Sequence, residues 1–321
     1  MPLPAFADVL AARDVIRPYL LRTPTLRYPL LDRLLDAKVY VKHENHLPTG
    51  AFKVRGGINL VSQFDDDTRR RGVLAVSSGN HGQSIAYASH LFGVKATVVM
   101  FGTPNPIKRE AIESWGATVL AHGKNSGEAR VFGEQLTAEF GYRNISACDE
   151  PELIAGVGTC TVEIIEDVPD VEMIFVPIGG GSSASGACLA VEGMKPSIEI
   201  IGVGASRAPA SYLTWKNRTR TEAEVEPTIA EGLAVNEPFM LPQQILWGRL
   251  NDFLTVDDEQ LAHAVRLYLE KVRTLVEPAG AAALAGALSI PEKVRGKTIV
   301  LIASGANISP DHLRLCLKNS I

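Results

Sequence analysis

Short apolar runs alternate with longer segments of mixed pattern along most of this chain. The run AKVYVKHEN, residues 37–45, alternates and is rich in valine, which predicts a strand. Pro48 and Gly50 then mark a turn, and from Lys53 the spacing of Val54, Ile58 and Val61 predicts a helix. GVLAVSS (72–78), KATVVMF (95–101) and ATVLAH (117–122) read as strands. Between and after them HGQSIAYASHLFG (81–93), NPIKREAIESWG (105–116) and SGEARVFGEQLTAEFG (126–141) read as helices stopped by glycine.

The later half repeats the habit. VEMIFVPIGGG (171–181) is a strand running into glycines, with SASGACLAVEG (183–193) as the helix behind it. SIEIIGVGAS (197–206) is another strand, and residues 206–240, with Pro209, Pro227 and Pro238, read as loop-rich. DDEQLAHAVRLYLEKV (257–272) is an amphipathic helix, and KTIVLIASGAN (297–307) is a last buried strand ending in a glycine turn. Strands of this length alternating with helices require parallel sheets covered on both faces. The class is therefore α/β. At 321 residues the chain is long for one open core, which predicts two open parallel-sheet domains, with 48–145 as a compact small one.

Charge narrows the partners. The net charge is -4, the pI is near 6.0 and no basic block exists, so no nucleic-acid partner is expected. Cys148, Cys160, Cys188 and Cys316 are far apart with no CxxC, so they read as reduced thiols, mostly buried. The first twenty residues carry Asp8 and Asp14 and no long apolar run, which argues against a leader peptide and for a cytoplasmic protein. The most apolar run, 278–290, is too short to span a bilayer, and its alanines suit tight helix packing, so no membrane partner is expected.

The glycine loops carry the candidate chemistry. In open α/β sheets ligands gather at the carboxyl ends of strands, and three glycine-bearing loops sit there: 77–82, 179–182 and 304–307. PIGGGSSASG (177–186) offers open main-chain N–H groups, short hydroxyl side chains and the start of a helix, which together suit a phosphate monoester. It matches neither the P-loop nor the dinucleotide spacing, and a tight turn with no ligand remains the plain alternative. SSGNHGQS (77–84) suits a carboxylate through its amides, Ser78, Asn80, His81 and Gln83, or is simply a helix capped by Ser77 or Ser78. Asn80 could also donate to a phenolate oxygen. Glu277 precedes a helix and Ser304 ends a strand. Lys53, in HENHLPTGAFKVRGG (43–57), is either an ordinary surface lysine or the reactive amine. A phosphate cup, a carboxylate cup and one lysine suggest a cofactor with a phosphate and an aldehyde, the lysine holding the aldehyde as a Schiff base.

PTGAFKVRGG (48–57), SSGNHGQSIAYA (77–88), PIGGGSSASG (177–186), EPAGA (277–281) and SGAN (304–307), joined by LIAGVGT (153–159) and TIAEGLAV (228–235), occur in the order seen in one family. The chain resembles the serine/threonine dehydratases, pyridoxal phosphate enzymes of the tryptophan synthase β fold (fold type II), which also include serine racemases. The resemblance runs from about residue 17 to 315. It implies a large cofactor-binding domain, 1–47 with 146–321, beside the small domain, a homodimer, and a small amino-acid substrate. It implies Lys53 as the Schiff-base lysine, Phe52 beside the pyridine ring, Asn80 on the phenolic oxygen, Gly179, Gly180, Gly181 and Ser182 as the phosphate loop, and Ser304 at the pyridine nitrogen, with Glu277 also at the cofactor. Ser77, Ser78, Asn80 and His81 match the loop that grips the substrate carboxylate, and Ser78 matches a serine that serves as second proton carrier. Arg130 falls close to a family arginine near the substrate; an exposed helix position is its plain reading. Arg55 is expected to hold the loop in place.

The activity implied is β-elimination, that is dehydration and deamination, of a 3-hydroxy amino acid, by default L-threonine or L-serine, to a 2-oxo acid and ammonia. Ser304 fits that choice, because a neutral hydroxyl keeps the ring a weak electron sink, which favours elimination over transamination. The alternatives are a racemase, a dehydratase for 3-hydroxyaspartate or 3-phenylserine, a β-replacement enzyme related to cysteine synthase, and a non-catalytic metabolite sensor. Two departures stand out. The glutamate of the family's divalent-cation site falls at Gly204, and 207–211 holds no acid, so no metal is expected. Ala306 replaces the common glycine of SGAN, and Ser182 a fourth glycine.

Overall fold

A computed structural model describes residues 2–102 and 106–318. Its ten strands are β1 (Thr25–Arg27), β2 (Lys38–Lys42), β3 (Val73–Val76), β4 (Ala96–Met100), β5 (Thr118–Ala121), β6 (Arg143–Ile145), β7 (Met173–Pro177), β8 (Glu199–Ala205), β9 (Asp252–Val256) and β10 (Thr298–Ile302). They form two sheets, a six-stranded one in the order β1-β2-β10-β7-β8-β9 and a four-stranded one in the order β5-β4-β3-β6. All pairings are parallel except β1 with β2. That antiparallel edge strand, with two of its three residues exposed, carries no apolar run and departs from the purely parallel expectation.

The strands are buried because helices cover both faces. β4, β7 and β10 are buried at every position, as continuous apolar runs in parallel sheets require. Two apolar clusters lie on opposite sides of the six-stranded sheet: Phe175, Val203 and Leu301 point to one, Ile174, Ile200 and Val300 to the other. A third cluster fills the four-stranded unit around Ile58, Ile85 and Val98. The alanine-rich helix Pro278–Ser289 packs against β7 and β8, where Gly286 lies so close to Val203 that a Cβ would sit 2.4 Å from its side chain.

The expected helices after the strands are present as Lys53–Ser62, Asn80–Phe92, Pro106–Glu113, Ser126–Phe140, Ser182–Met194 and Asp258–Leu267. Asn105, the first residue expected in the third, lies outside the described residues. Gly93 and Gly141 end their helices in the left-handed region, at φ 65° and 71°. The segment 206–240 differs from its loop-rich reading, for it contains the helix Ala210–Asn217. Its buried residues are Ala210, Ser211 and Thr214, too small and polar to register as an apolar stripe. Pro209 occupies the N-cap, where proline stops nothing, and two indoles hold the helix to its neighbour Met240–Arg249. Trp215 donates to the Leu246 carbonyl at 3.3 Å, and Trp247 to that of Thr214 at 3.1 Å.

Candidate active site

Four loops leave the carboxyl ends of β3, β6, β7 and β10 and meet between the two sheets. They surround a cavity of about 1180 Å³. Its wall contains Phe52, Lys53, Ser77, Ser78, Asn80, His81, Arg130, Gly179, Gly180, Gly181, Ser182, Glu277 and Ser304, whereas Gln83, the other donor expected of the 77–84 loop, is buried and does not line it.

Lys53 opens the helix Lys53–Ser62, which packs against helices of both sheet units. Its backbone is pinned by a short antiparallel contact with the loop after β10. Phe52 N–H donates to the Ser304 carbonyl at 3.0 Å, Ala306 N–H to that of Gly50 at 2.8 Å, and Ala51 bridges Gly305. The Nζ donates to the Ala147 carbonyl at 2.7 Å and to Ser182 Oγ at 2.9 Å, 3.6 Å from Cys148 Sγ and 5.5 Å from the centre of the Phe52 ring. The amine therefore points at the mouth of the glycine loop.

That loop is built around missing side chains. A Cβ on Gly179 would lie 2.5 Å from the Gly232 carbonyl oxygen, and one on Gly180 would lie 2.3 Å from Cys148 Sγ. Gly181 caps the next helix at φ 97°, a region that disfavours a side chain. Ser182 is the first residue of that helix, whose free N–H groups and positive end face the cavity. The Ser211 hydroxyl donates to the Gly179 carbonyl at 2.6 Å and fixes the loop from behind. A cradle that any Cβ would fill, open N–H donors and a lysine amine at its mouth fit a phosphate-bearing aldehyde.

The 77–81 loop forms another part of the wall. The Ser78 hydroxyl accepts from Phe101 N–H at 3.2 Å and donates to the Phe101 carbonyl at 3.4 Å. Ser77 Oγ accepts from Gly79 N–H at 3.2 Å. His81 is buried, and burial, helped by the charge of Lys53 and opposed by the Ile145 main chain, pushes its imidazole down to about 3. It is a neutral ring at any ordinary pH. Asn80 Nδ2 donates to Glu277 Oε1 at 2.6 Å. Burial pushes the Glu277 carboxyl above its ordinary value, against the Asn80 bond and the charge of Lys108, while Glu231 adds to the rise. The Ser304 side chain is buried and also lines the cavity.

Arg130 stands at the edge. Its side chain is 54% exposed, and Nη1 donates to Glu237 Oε2 at 3.0 Å. Arg220 reaches the same oxygen at 3.4 Å. Arg55 takes no part in the cavity. It is buried and bonded to Glu44 and Glu163, which agrees with a holding role. The four cysteines are buried free thiols, as their spacing suggested.

Sequence reasoning missed several groups in the wall, among them Cys148, Asp149, Lys108, Glu231 and Glu237. The 146–149 turn follows the short strand β6, which has no apolar pattern; had β6 been recognised, its carboxyl end would have pointed there. Lys108 and Glu231 form an ion pair from separate sheet units, and 123 residues of sequence hide it.

Residues 16–305 match the family model described as pyridoxal-phosphate dependent enzyme. The chain belongs to that family. Over 308 residues it is 35% identical to L-threo-3-hydroxyaspartate ammonia-lyase of Saccharomyces cerevisiae, covering 96% of this chain and 94% of the relative. It is 33% identical to L-threonine ammonia-lyase of Thermotoga maritima, over 94% of this chain and 75% of that protein. In three dimensions it superposes on maize serine racemase with a TM-score of 0.92 at 28% identity, covering 99% of this chain and 98% of that one. The fold is that of the fold type II enzymes, with two α/β sheet units, and the cofactor is pyridoxal phosphate. The chain is an enzyme with the lyase chemistry typical of the family, within its dehydratase and racemase branch.

Proposed function

We propose that this enzyme eliminates water from a 3-hydroxy amino acid; the enamine released tautomerises to an imine, which water hydrolyses to a 2-oxo acid and ammonia. The observation that carries the reading is the Lys53 amine, 2.9 Å from Ser182 Oγ at the rim of the glycine cradle, in a cavity that the 77–81 loop also lines. Pyridoxal phosphate, when bound, supplies an aldehyde for the substrate amine and a ring that spreads negative charge away from Cα. The chain's own groups do the rest. The cradle of Gly179, Gly180, Gly181 and Ser182 takes the phosphate, and Phe52, Asn80, Glu277 and Ser304 orient the ring. Ser77, Asn80 and His81 belong to the loop that receives the substrate carboxylate, and His81, kept neutral at about 3, adds no charge there. Lys53, once its amine is free, takes the Cα proton. Ser78 serves the opposite face; a proton delivered from it turns elimination into racemisation. The working assembly is a homodimer.

L-Threonine and L-serine are the default substrates. A second reading, an acidic substrate such as 3-hydroxyaspartate, is favoured by one feature. Arg130 and Arg220 converge on a single oxygen of Glu237 in the cavity wall, at 3.0 and 3.4 Å. A substrate's second carboxylate displacing Glu237 would meet both guanidiniums. A panel of L-threonine, L-serine, threo-3-hydroxyaspartate and 3-phenylserine, scored by 2-oxo acid formation and kcat/KM, separates the readings. If threonine and serine are both poorer than 3-hydroxyaspartate by about a hundredfold, near 2.7 kcal/mol in transition-state binding, the acidic reading holds. Exchange and inversion at Cα outrunning 2-oxo acid release on every substrate would overturn elimination itself.

A further inference from the structure

Two glycines outside the phosphate cradle are unexplained by the reaction. A Cβ on Gly305 would lie 2.3 Å from Glu277 Oε1, and Gly50, at φ 66°, would place one 2.8 Å from Asn307 Oδ1. Each glycine makes room for one polar side chain, and both side chains end on the same residue. Asn307 Nδ2 donates to Asn80 Oδ1 at 2.7 Å and to the Thr49 carbonyl at 2.8 Å. Asn80 Nδ2 in turn donates to Glu277 Oε1 at 2.6 Å. An amide looks nearly the same either way round, so its orientation is set by its partners. Here a donor faces its oxygen and a carboxylate faces its nitrogen. The reversed amide would set N–H against N–H on one side and oxygen against carboxylate on the other. Nδ2 carries two hydrogens and Glu277 takes one, which leaves the other for the cavity that Asn80 lines.

We propose that Asn307 is a positioning residue, which with Glu277 locks the Asn80 amide with its remaining N–H turned toward the cofactor's phenolic oxygen. The proposal rests on the reading that Asn80 serves that oxygen. It gives a purpose to the final asparagine of the SGAN loop, and it ties that loop to the 77–81 loop across 227 residues of sequence. The same contact joins the two sheet units, because Asn80 begins the helix after β3 and Asn307 follows β10. The charges nearest the lock are Glu277 itself, Lys108 and Glu231.

The test reads the bound cofactor, not turnover. An N–H donated to the phenolic oxygen favours its ionised form, and losing it makes the proton shared between that oxygen and the Schiff-base nitrogen harder to remove. The pH midpoint of the cofactor's visible absorbance is measured for the holoenzyme, for Asn80→Ala, for Asn307→Ala and for the double variant, with melting temperature followed alongside. Asn80→Ala should raise the midpoint by about one unit, and Asn307→Ala by about half as much. In the Asn80→Ala background Asn307→Ala should add nothing, since its effect passes through Asn80. If Asn80→Ala leaves the midpoint unmoved, the reading of Asn80 fails. If Asn80→Ala moves it and Asn307→Ala does not, or if Asn307→Ala moves it equally in both backgrounds, the positioning role is overturned. Should Asn307→Ala not fold, Asn307→Ser, a smaller donor, is read by the same criteria, and Asn307→Asp, which presents a carboxylate to the Asn80 oxygen, should raise the midpoint further than either.

Discussion

Arg55→Met removes the centre of the buried network two residues beyond Lys53. The Arg55 side chain is 1% exposed and makes six hydrogen bonds, to Glu44, Glu163, Thr23 and Thr159. Glu44 is fully buried; burial alone would push its carboxyl up, but the charge and bonds of Arg55 outweigh that and hold it below its ordinary value of 4.5. Methionine fills the space of the stem and withdraws the charge. Glu163 keeps Lys42 at 2.6 Å, whereas Glu44 is left with the Thr23 hydroxyl, also at 2.6 Å, and no direct cation. Breaking one side of a buried pair costs about 3–5 kcal/mol, a large share of the roughly 5–15 kcal/mol that holds a native protein together.

The cost depends on pH with a definite sign. In the native protein the Glu44 carboxyl lies below its unfolded value, so its stabilisation is complete above about pH 4.5 and is lost as pH falls through the folded value. In Arg55→Met burial is no longer outweighed, and Glu44 rises above its unfolded value. Its penalty is then full at neutral pH and relieved as acid protonates it. The urea midpoint of the variant, read at an unchanged slope, should therefore fall well below wild type at pH 7 and approach it as pH drops toward 5. Adding Glu44→Gln to Arg55→Met should recover about 1–2 kcal/mol, although Glu44→Gln alone destabilises. A loss under about 1 kcal/mol at pH 7, the size of an exposed pair, would refute the network's role, as would a Glu44→Gln cost equal in both backgrounds.

Lys53→Ala should abolish turnover while the melting temperature stays near that of the wild type, and borohydride reduction of the native enzyme should leave a pyridoxyl group on Lys53. An adduct on Lys42 or Lys108, which the structure pairs with Glu163 and Glu231, would sink the assignment. Gly180→Ala, whose Cβ would meet Cys148 Sγ at 2.3 Å, should weaken cofactor binding at least tenfold, about 1.4 kcal/mol, measured by equilibrium dialysis; unchanged affinity would mean the cradle is looser than its geometry. Exhaustive chelation should leave most activity in place, because Gly204 stands where the family's cation-site glutamate falls and 207–211 holds no acid. Activity lost to chelation and restored by magnesium would contradict this.

What was legible in the sequence was the part written in local backbone chemistry. The glycine run 179–181 was legible because three successive residues without side chains after an apolar strand mark an open main-chain loop by themselves, although the groups a Cβ would meet, Gly232 and Cys148, lie far off in sequence. Lys53 was legible as a candidate only because its neighbours form a motif; its partner, the Ala147 carbonyl, is main chain and leaves no mark in composition. β1 and β6 escaped because they are short, partly exposed and hold few large apolar side chains, and the helix Ala210–Asn217 because the residues it buries are small or polar. Arg130 was legible as a cation near the site, but its bond to Glu237, 107 residues away, was not.

Three sets of contacts that no pattern revealed cross between the sheet units. Asn80 reaches Glu277 and Asn307, Lys108 reaches Glu231, and Arg130 reaches Glu237. In each case the first residue belongs to a helix of the four-stranded unit and the second to a turn or helix start of the other. An apolar seam at these points would pack the cavity shut, since hydrophobic contact has no preferred direction. Hydrogen bonds and ion pairs join the units at chosen atoms and leave the space between them open. Two of the three crossings end on one short segment, at Glu231 and Glu237, which lies in the cavity wall. A substrate carboxylate that competes with Glu237 for Arg130 and Arg220 would therefore act on the same contacts that hold the two units together. The side chain that selects the substrate and the side chain that sets the opening of the cavity would then be one and the same.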